Sequence, residues 1–202
     1  MKKIAKGNCG YIAYEKKKRT LVTAVLFIIP ITIFITGYLH TGTRLNLLTV
    51  VAVVGCLPAC KSMVGAIMMF RQRPGDAALE AEVGKAAGEL APCYELIMTA
   101  YEKTTRVDAC VICGNEIACY SADAKADADF ARKHIAKILN ANGYSGVHVK
   151  LFKERKAFLE RAAYLNKNRD SLRENIRFTP DERYPDLSRD ELIRHLLLAI
   201  SL

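Results

Sequence analysis

A chain of 202 residues, 51% hydrophobic and with a formal charge of +9, has room for one or two compact units. The charge is divided unevenly: residues 1–70 carry nine Lys/Arg against Glu15, a net of +8, while residues 71–202 carry twenty-one against twenty acids, a net of +1. A nucleic-acid binder concentrates its excess cation on the folded domain. Here the excess flanks apolar segments, which argues against nucleic acid as a partner and for membrane topology.

Residues 1–19 form a basic N-terminus that the positive-inside rule assigns to the cytoplasm. Residues 20–39, TLVTAVLFIIPITIFITGYL, carry no charge, and at 1.5 Å per residue such a helix is about 30 Å long, the thickness of a hydrocarbon core. A cleavable signal has a shorter apolar core and a small-residue cleavage site. This run is longer and no A-x-A follows it, so it predicts a retained first span, with Pro30 tolerated in lipid. Residues 40–44 are a short external link, and residues 45–70 are a second span. Seven cations precede the first span (Lys2, Lys3, Lys6, Lys16, Lys17, Lys18 and Arg19), Arg44 lies in the link, and Arg71 and Arg73 follow the second. The expectation is a two-span plasma-membrane protein with both termini cytoplasmic, the lipid bilayer its first partner, and residues 71–202 as a cytosolic α/β domain.

Lys61 is the charged residue inside a span. It falls about three residues, some 4–5 Å, inside the cytoplasmic boundary. Snorkelling covers that depth; the alternative is a role facing a partner helix. Gly55 and Pro58 soften the second helix, no G-x-x-x-G occurs, and Gly65-Ala66 is a weak packing signal.

In the third segment, RQRPGD (71–76) reads as a linker and a helix starts at Ala77. Pro92 opens a second helical piece with Leu96, Ile97, Ala100 and Tyr101 at helical spacing. VDACVIC-GN-EIACYS then predicts a β-hairpin about Gly114-Asn115. A helix over Asp123–Asn140, a strand over Val147–Phe152 and a helix over Lys153–Asn166 follow. Two capping boxes, Thr179–Glu182 and Ser188–Glu191, start the last helices. The fold class is thus a membrane α-helical hairpin followed by a small α+β domain of order α-β-β-α-β-α-α. Its mixed sheet has at least three strands.

The stretch CVICGNEIACY, Cys110–Tyr120, holds the chemistry-bearing residues. A two-residue turn pairs Cys113 with Glu116, Ile112 with Ile117, Val111 with Ala118 and Cys110 with Cys119. Alternation puts Cys110, Ile112, Ile117 and Cys119 on one face and Cys113 with Glu116 on the other, wetter one. Cysteines so arranged pack as small hydrophobes. A zinc site would require the two thiolates of the C-x-x-C to converge and find further ligands; Cys110, Cys113, Cys119 and His134 are the candidate set, with Cys93 and His148 scattered beyond it. A redox motif belongs at a helix N-terminus, not in a hairpin. Cys56 and Cys60 pack within the second span.

A metal-dependent nuclease would need carboxylates and a lysine to converge on adjacent strands; Asp108 and Glu116 are available, but Ile117 and Ala118 follow Glu116 where a lysine is needed. His134 and His195 fall on helix flanks as surface residues. No catalytic residue is assigned and no cofactor is expected, zinc at the hairpin being the alternative. The expected function is a non-enzymatic, membrane-anchored interaction or scaffold domain acting on a cytosolic protein or on its own copies as a homo-oligomer. The alternative is a membrane-tethered enzyme or zinc-binding domain centred on the Cys110–Cys119 hairpin.

Overall fold

The computed structural model describes residues 3–100, 103–174, 176, 178 and 184–201. Two compact units result, one of Ile12–Pro74 and one of Gly75–Leu202 that also takes in Ile4–Tyr11.

The first unit consists of α1 (Tyr11–Thr41) and α2 (Leu47–Phe70), both long and apolar enough to cross a membrane. Nothing between Tyr11 and Arg19 breaks a helix, so the basic run Lys16–Arg19 stands on α1 ahead of the apolar stretch. The turn between the helices begins at Gly42, whose φ of +67° suits glycine. It ends at Asn46, which caps α2 by accepting from the Thr49 amide at 2.8 Å and donating to Thr41 Oγ1 and the Thr43 carbonyl.

The two helices run antiparallel along a seam of small residues. Thr23 Oγ1 and Ser62 Oγ lie 2.8 Å apart. A Cβ on Gly55 would come 3.5 Å from Pro30, and one on Gly37 would come 2.7 Å from Leu48 Cβ. These contacts step seven residues forward on α1 as they step seven back on α2, and buried Ala52, Ala59 and Ala66 repeat at the same interval. This heptad of small residues lets the two backbones approach closely. The two helices hold no G-x-x-x-G, because the close-packing positions recur every seven residues and not every four. Thr20, Thr32, Thr36 and Thr41 return their hydroxyl protons to the carbonyl four residues back, which satisfies each within its own helix.

The second unit is a small mixed sheet between two layers of helices. Its elements are α3 (Ala77–Ala87), β1 (Ala91–Ala100), β2 (Lys103–Cys113), β3 (Glu116–Tyr120), α4 (Ala128–Ala141), β4 (His148–Phe152), α5 (Arg155–Lys167), α6 (Arg169–Glu174) and α7 (Arg189–Ile200). Strand order is β1-β2-β3-β4, antiparallel except for the parallel β3–β4 pair that α4 connects. On one face Leu79 and Val83 of α3 and Phe158, Ala162 and Leu165 of α5 cover Val111, Cys113 and Ala118. On the other, Ile135 and Leu139 of α4 and Ile193 and Leu197 of α7 cover Cys110, Ile112, Ile117 and Cys119. The Ser188–Glu191 capping box is formed; Thr179–Glu182 lies outside the described residues.

One expected helix is a strand. Residues 91–100 form β1, so the order is α-β-β-β-α-β-α-α-α and the sheet has four strands. The cause is local. Glu95 has φ +55°, the one positive value at a non-glycine among the described residues. Cys93 faces the α4/α7 layer and Tyr94 the α3 layer, but Leu96 and Met98 return to the α4/α7 layer. The alternation therefore slips by one at Glu95, and opposite it β2 slips likewise, since Val107 and Cys110 share a face while Ala109 takes the other. Such a slip spaces inward residues as a helix would.

The outer edge of β1 is covered by both chain ends. The Tyr94 amide donates to the Gly7 carbonyl at 2.8 Å, Met98 bridges Ser201, and Lys6 Nζ donates to the Ser201 carbonyl at 2.6 Å. Covering an edge in this way removes a template for unwanted strand pairing.

Candidate functional site

The hairpin forms with the expected register: Cys113↔Glu116, Ile112↔Ile117, Val111↔Ala118 and Cys110↔Cys119. Gly114, at φ +58°, supplies the left-handed residue that a two-residue turn requires. The C-x-x-C thiols diverge. Cys110 lies in the α4/α7 layer and Cys113 in the α3/α5 layer, with the sheet between them. A chelate using both would have to dismantle the turn.

The expected wetter face does not exist. Cys113 is fully buried, as is Cys110, because α3 and α5 close the side that was expected to meet water. The Cys113 thiol donates to the Leu165 carbonyl at 3.7 Å. Burial, then the Asp190 charge, pushes it up to about 11. Cys93, Cys110 and Cys119 lie side by side on three adjacent strands, and the Cys119 thiol donates to Cys110 Sγ at 3.4 Å. Hydrogen bonds with Cys119 and Cys93, and then burial, push Cys110 well above the ordinary thiol range. Both groups are held protonated, the reverse of an activated nucleophile.

The remaining candidates do not converge on these thiols. His134 sits half-buried on α4, stacked on Phe130 with centroids 5.6 Å apart, and burial lowers its pKa. His148 is exposed on β4. Among the described residues no group of three or more His, Cys, Asp or Glu is placed to hold a metal ion. Asp108 pairs with Arg106 at 2.6 Å and accepts from the Ala122 amide, while Glu116 pairs with Arg161 at 2.8 Å. These two carboxylates stand at opposite ends of the β2–β3 ribbon, roughly 17 Å apart along it, too far to share a metal. His195 is exposed and meets Tyr184 at 5.0 Å. Lys61 is exposed on α2.

The polar centre that the structure does assemble surrounds the hairpin turn. Asp190, in the first turn of α7, is buried and accepts from the Gly114 amide at 3.0 Å. Arg173 of α6 donates to the same carboxylate from Nε at 3.0 Å and Nη2 at 2.7 Å. Arg189 donates to the Gly114 carbonyl and to Asn115 Oδ1, each at 2.6 Å. Both backbone groups of Gly114 are thus held by consecutive residues of one helix. Burial opposes the charge on both arginines; at Arg173 the Asp190 carboxylate outweighs it and raises the pKa, whereas Arg189 is lowered. A cavity of about 200 Å³ adjoins this cluster, lined by Arg173, Ile176, Phe178 and Ser188 among others. It is smaller than the roughly 300–1,000 Å³ of a typical ligand site, and its arginines already have protein acceptors. The cluster positions the turn. Its sequence signal was concealed, since Arg189 and Asp190 sit inside the capping box and read there as cap residues.

No family model matches this chain, and neither a curated protein nor a solved structure matches it.

Proposed function

We propose that this is an integral membrane protein of two spans that displays its α/β unit as an anchored, non-enzymatic interaction or scaffold domain. The observation carrying the membrane half is the distribution of exposed apolar side chains. Every exposed large hydrophobic residue among those described falls between Leu21 and Phe70, except Tyr164 and Tyr184. A water-facing helix pair would not leave Ile28, Leu39, Val53 and Leu57 more than half exposed, and a bilayer is the solvent that suits them. The cation distribution favours both termini in the cytoplasm at the plasma membrane. In the α/β unit the hairpin thiols are buried and protonated and the arginines engaged, which supports a binding role toward a cytosolic protein or a second copy over catalysis.

Membranes washed at alkaline pH test the anchoring, and a reporter active only outside the cytoplasm, fused after Leu202, tests the orientation. Retention in the washed pellet and a silent reporter are expected. Extraction, or an active reporter, overturns the corresponding half. Cross-linked co-purification of the full chain from native membranes tests the scaffold role, with a stoichiometric protein or a second copy expected.

A further inference from the structure

We propose that the basic end of the helix pair holds an acidic phospholipid, its acyl chain in an apolar groove and its headgroup on Lys16 and Lys17. This deepens the membrane reading and rests on it. The groove has a volume of about 620 Å³, within the range of small-molecule sites. Ala13, Lys16, Lys17, Leu21 and Ala24 line it from α1, with Phe70 at the end of α2. The spacing of those α1 positions is one helical face, and from Ala13 to Ala24 it runs about 16 Å, half the thickness of a hydrocarbon core. The face changes character along its length. Its first part carries two ammonium groups, and its last part is purely apolar, entering the uncharged run that starts at Thr20. An amphiphile with an anionic head and a hydrocarbon tail has that same polarity.

Charge complementarity selects the head. Glu15 pairs with Lys18 at 3.3 Å and with Arg19 at 3.4 Å, and Arg19 also reaches the Gly65 carbonyl. Lys16 and Lys17 make no ion pair among the described residues. Lys16 Nζ instead lies 5.9 Å from the centre of the Phe70 ring, which holds it over the groove by a cation–π contact. Two unneutralised ammonium groups beside an apolar wall attract a phosphate whose tail fills that wall.

The full chain is reconstituted in phosphatidylcholine discs containing phosphatidylglycerol, and retained lipid is counted by native mass spectrometry. Preferential retention of phosphatidylglycerol, roughly tenfold over phosphatidylcholine, is expected. Lys16→Gln with Lys17→Gln should abolish that preference. Ala24→Phe, which fills the groove and leaves the charge intact, should reduce retention of the lipid itself. Lys3→Gln with Arg71→Gln removes the same charge from residues that do not line the groove, leaves the Glu15 pairs intact, and should leave the preference in place. Four results overturn the proposal: no preference in the parent chain, equal loss in the matched control, displacement by inorganic phosphate alone, or groove variants that change oligomeric state but not lipid retention. Alkaline washing separates the two levels. A chain that stays in the pellet without the preference refutes the lipid site alone, and a chain that is extracted refutes the membrane reading with it.

Discussion

Glu95 accepts a hydrogen bond from the Gly75 amide at 2.6 Å, through the same Oε1 that takes the Gly10 amide at 2.8 Å. Gly10 and Gly75 belong to the two separate segments that make up the α/β unit, so one buried carboxylate ties those segments together. Glu95 is held at φ +55°, a left-handed backbone that costs a branched or long residue on the order of 1–2 kcal/mol. The strain is offset by what the side chain reaches from there. Hydrogen exchange of the full chain should therefore show the Gly10 and Gly75 amides exchanging together and at least about tenfold faster in Glu95→Ala, since each donor loses its acceptor at about 1.4 kcal/mol or more. Glu95→Gln keeps an acceptor oxygen and should lose less. Unchanged exchange in Glu95→Ala would show that the carboxylate is not the tie. Gly75→Ala should speed the same two amides, because its Cβ would crowd Glu95 Oε1 and push the carboxylate off both of them.

Helices close both faces of the hairpin, so polar substitution on either side should cost similarly. Cys110→Ser and Cys113→Ser are each expected to destabilise by roughly 1–3 kcal/mol, the cost of a hydroxyl buried with poor partners. Urea melts of the full chain in detergent measure both. A loss at Cys110 with none at Cys113 would restore the one-wet-face arrangement. Equal losses that a chelator reproduces in the parent would instead indicate metal.

The hairpin register was legible because a two-residue Gly-Asn turn leaves one pairing, and every predicted pair is present. The second buried face was written in the same residues but read less easily. Ala109, Val111 and Cys113 are as apolar as Cys110 and Ile112, which is the pattern of a strand covered on both sides. β1 was misread because its side-chain phase slips at Glu95, and no propensity rule anticipates a glutamate in left-handed backbone. The cluster at the turn was hidden for a different reason. Its bonds join Gly114 to residues 75 and 76 positions away, and no local pattern encodes a contact of that range. In the helix pair, length and hydropathy were plain, whereas the seam had to be read as a heptad of Thr, Pro, Gly and Ala.

Cys113 provides a pH dependence with a definite sign. Its pKa is raised from 9.0 to about 11, by burial first, then by Asp190, with Asp170 and Glu116 acting in the same direction and Arg173 against. The folded state binds this proton more tightly than the unfolded one. The contribution is full below pH 9.0 and is lost as pH rises toward about 11. Cys9 and Tyr94 are also raised, so the informative quantity is the difference between the parent and Cys113→Ala. The urea midpoint of the parent should fall more steeply across that window. Parallel curves would mean that the thiol ionises as freely in the folded chain as in the unfolded one.

Two glycines with positive φ separate backbone strain from crowding. Gly143 has φ +87°, and a Cβ there would meet nothing within 4 Å. Gly114 has φ +58°, and a Cβ there would lie 2.7 Å from the Leu172 carbonyl oxygen and 2.9 Å from Ile176 Cδ1. Gly143→Ala should therefore cost the conformational penalty alone, about 1–2 kcal/mol. Gly114→Ala pays that and must also push the end of α6 off the turn, which adds about 1–3 kcal/mol of overpacking. The added displacement would pull Arg173 from Asp190, and Asp190 in turn holds the Gly114 amide. Loss at Gly114 should accordingly spread to the first turn of α7, visible as faster hydrogen exchange at Leu192 and Ile193, whereas Gly143→Ala leaves those amides protected. Equal melts and equal exchange in the two variants would show that α6 yields freely, and that Arg189 and Asp190 do not fix the hairpin turn.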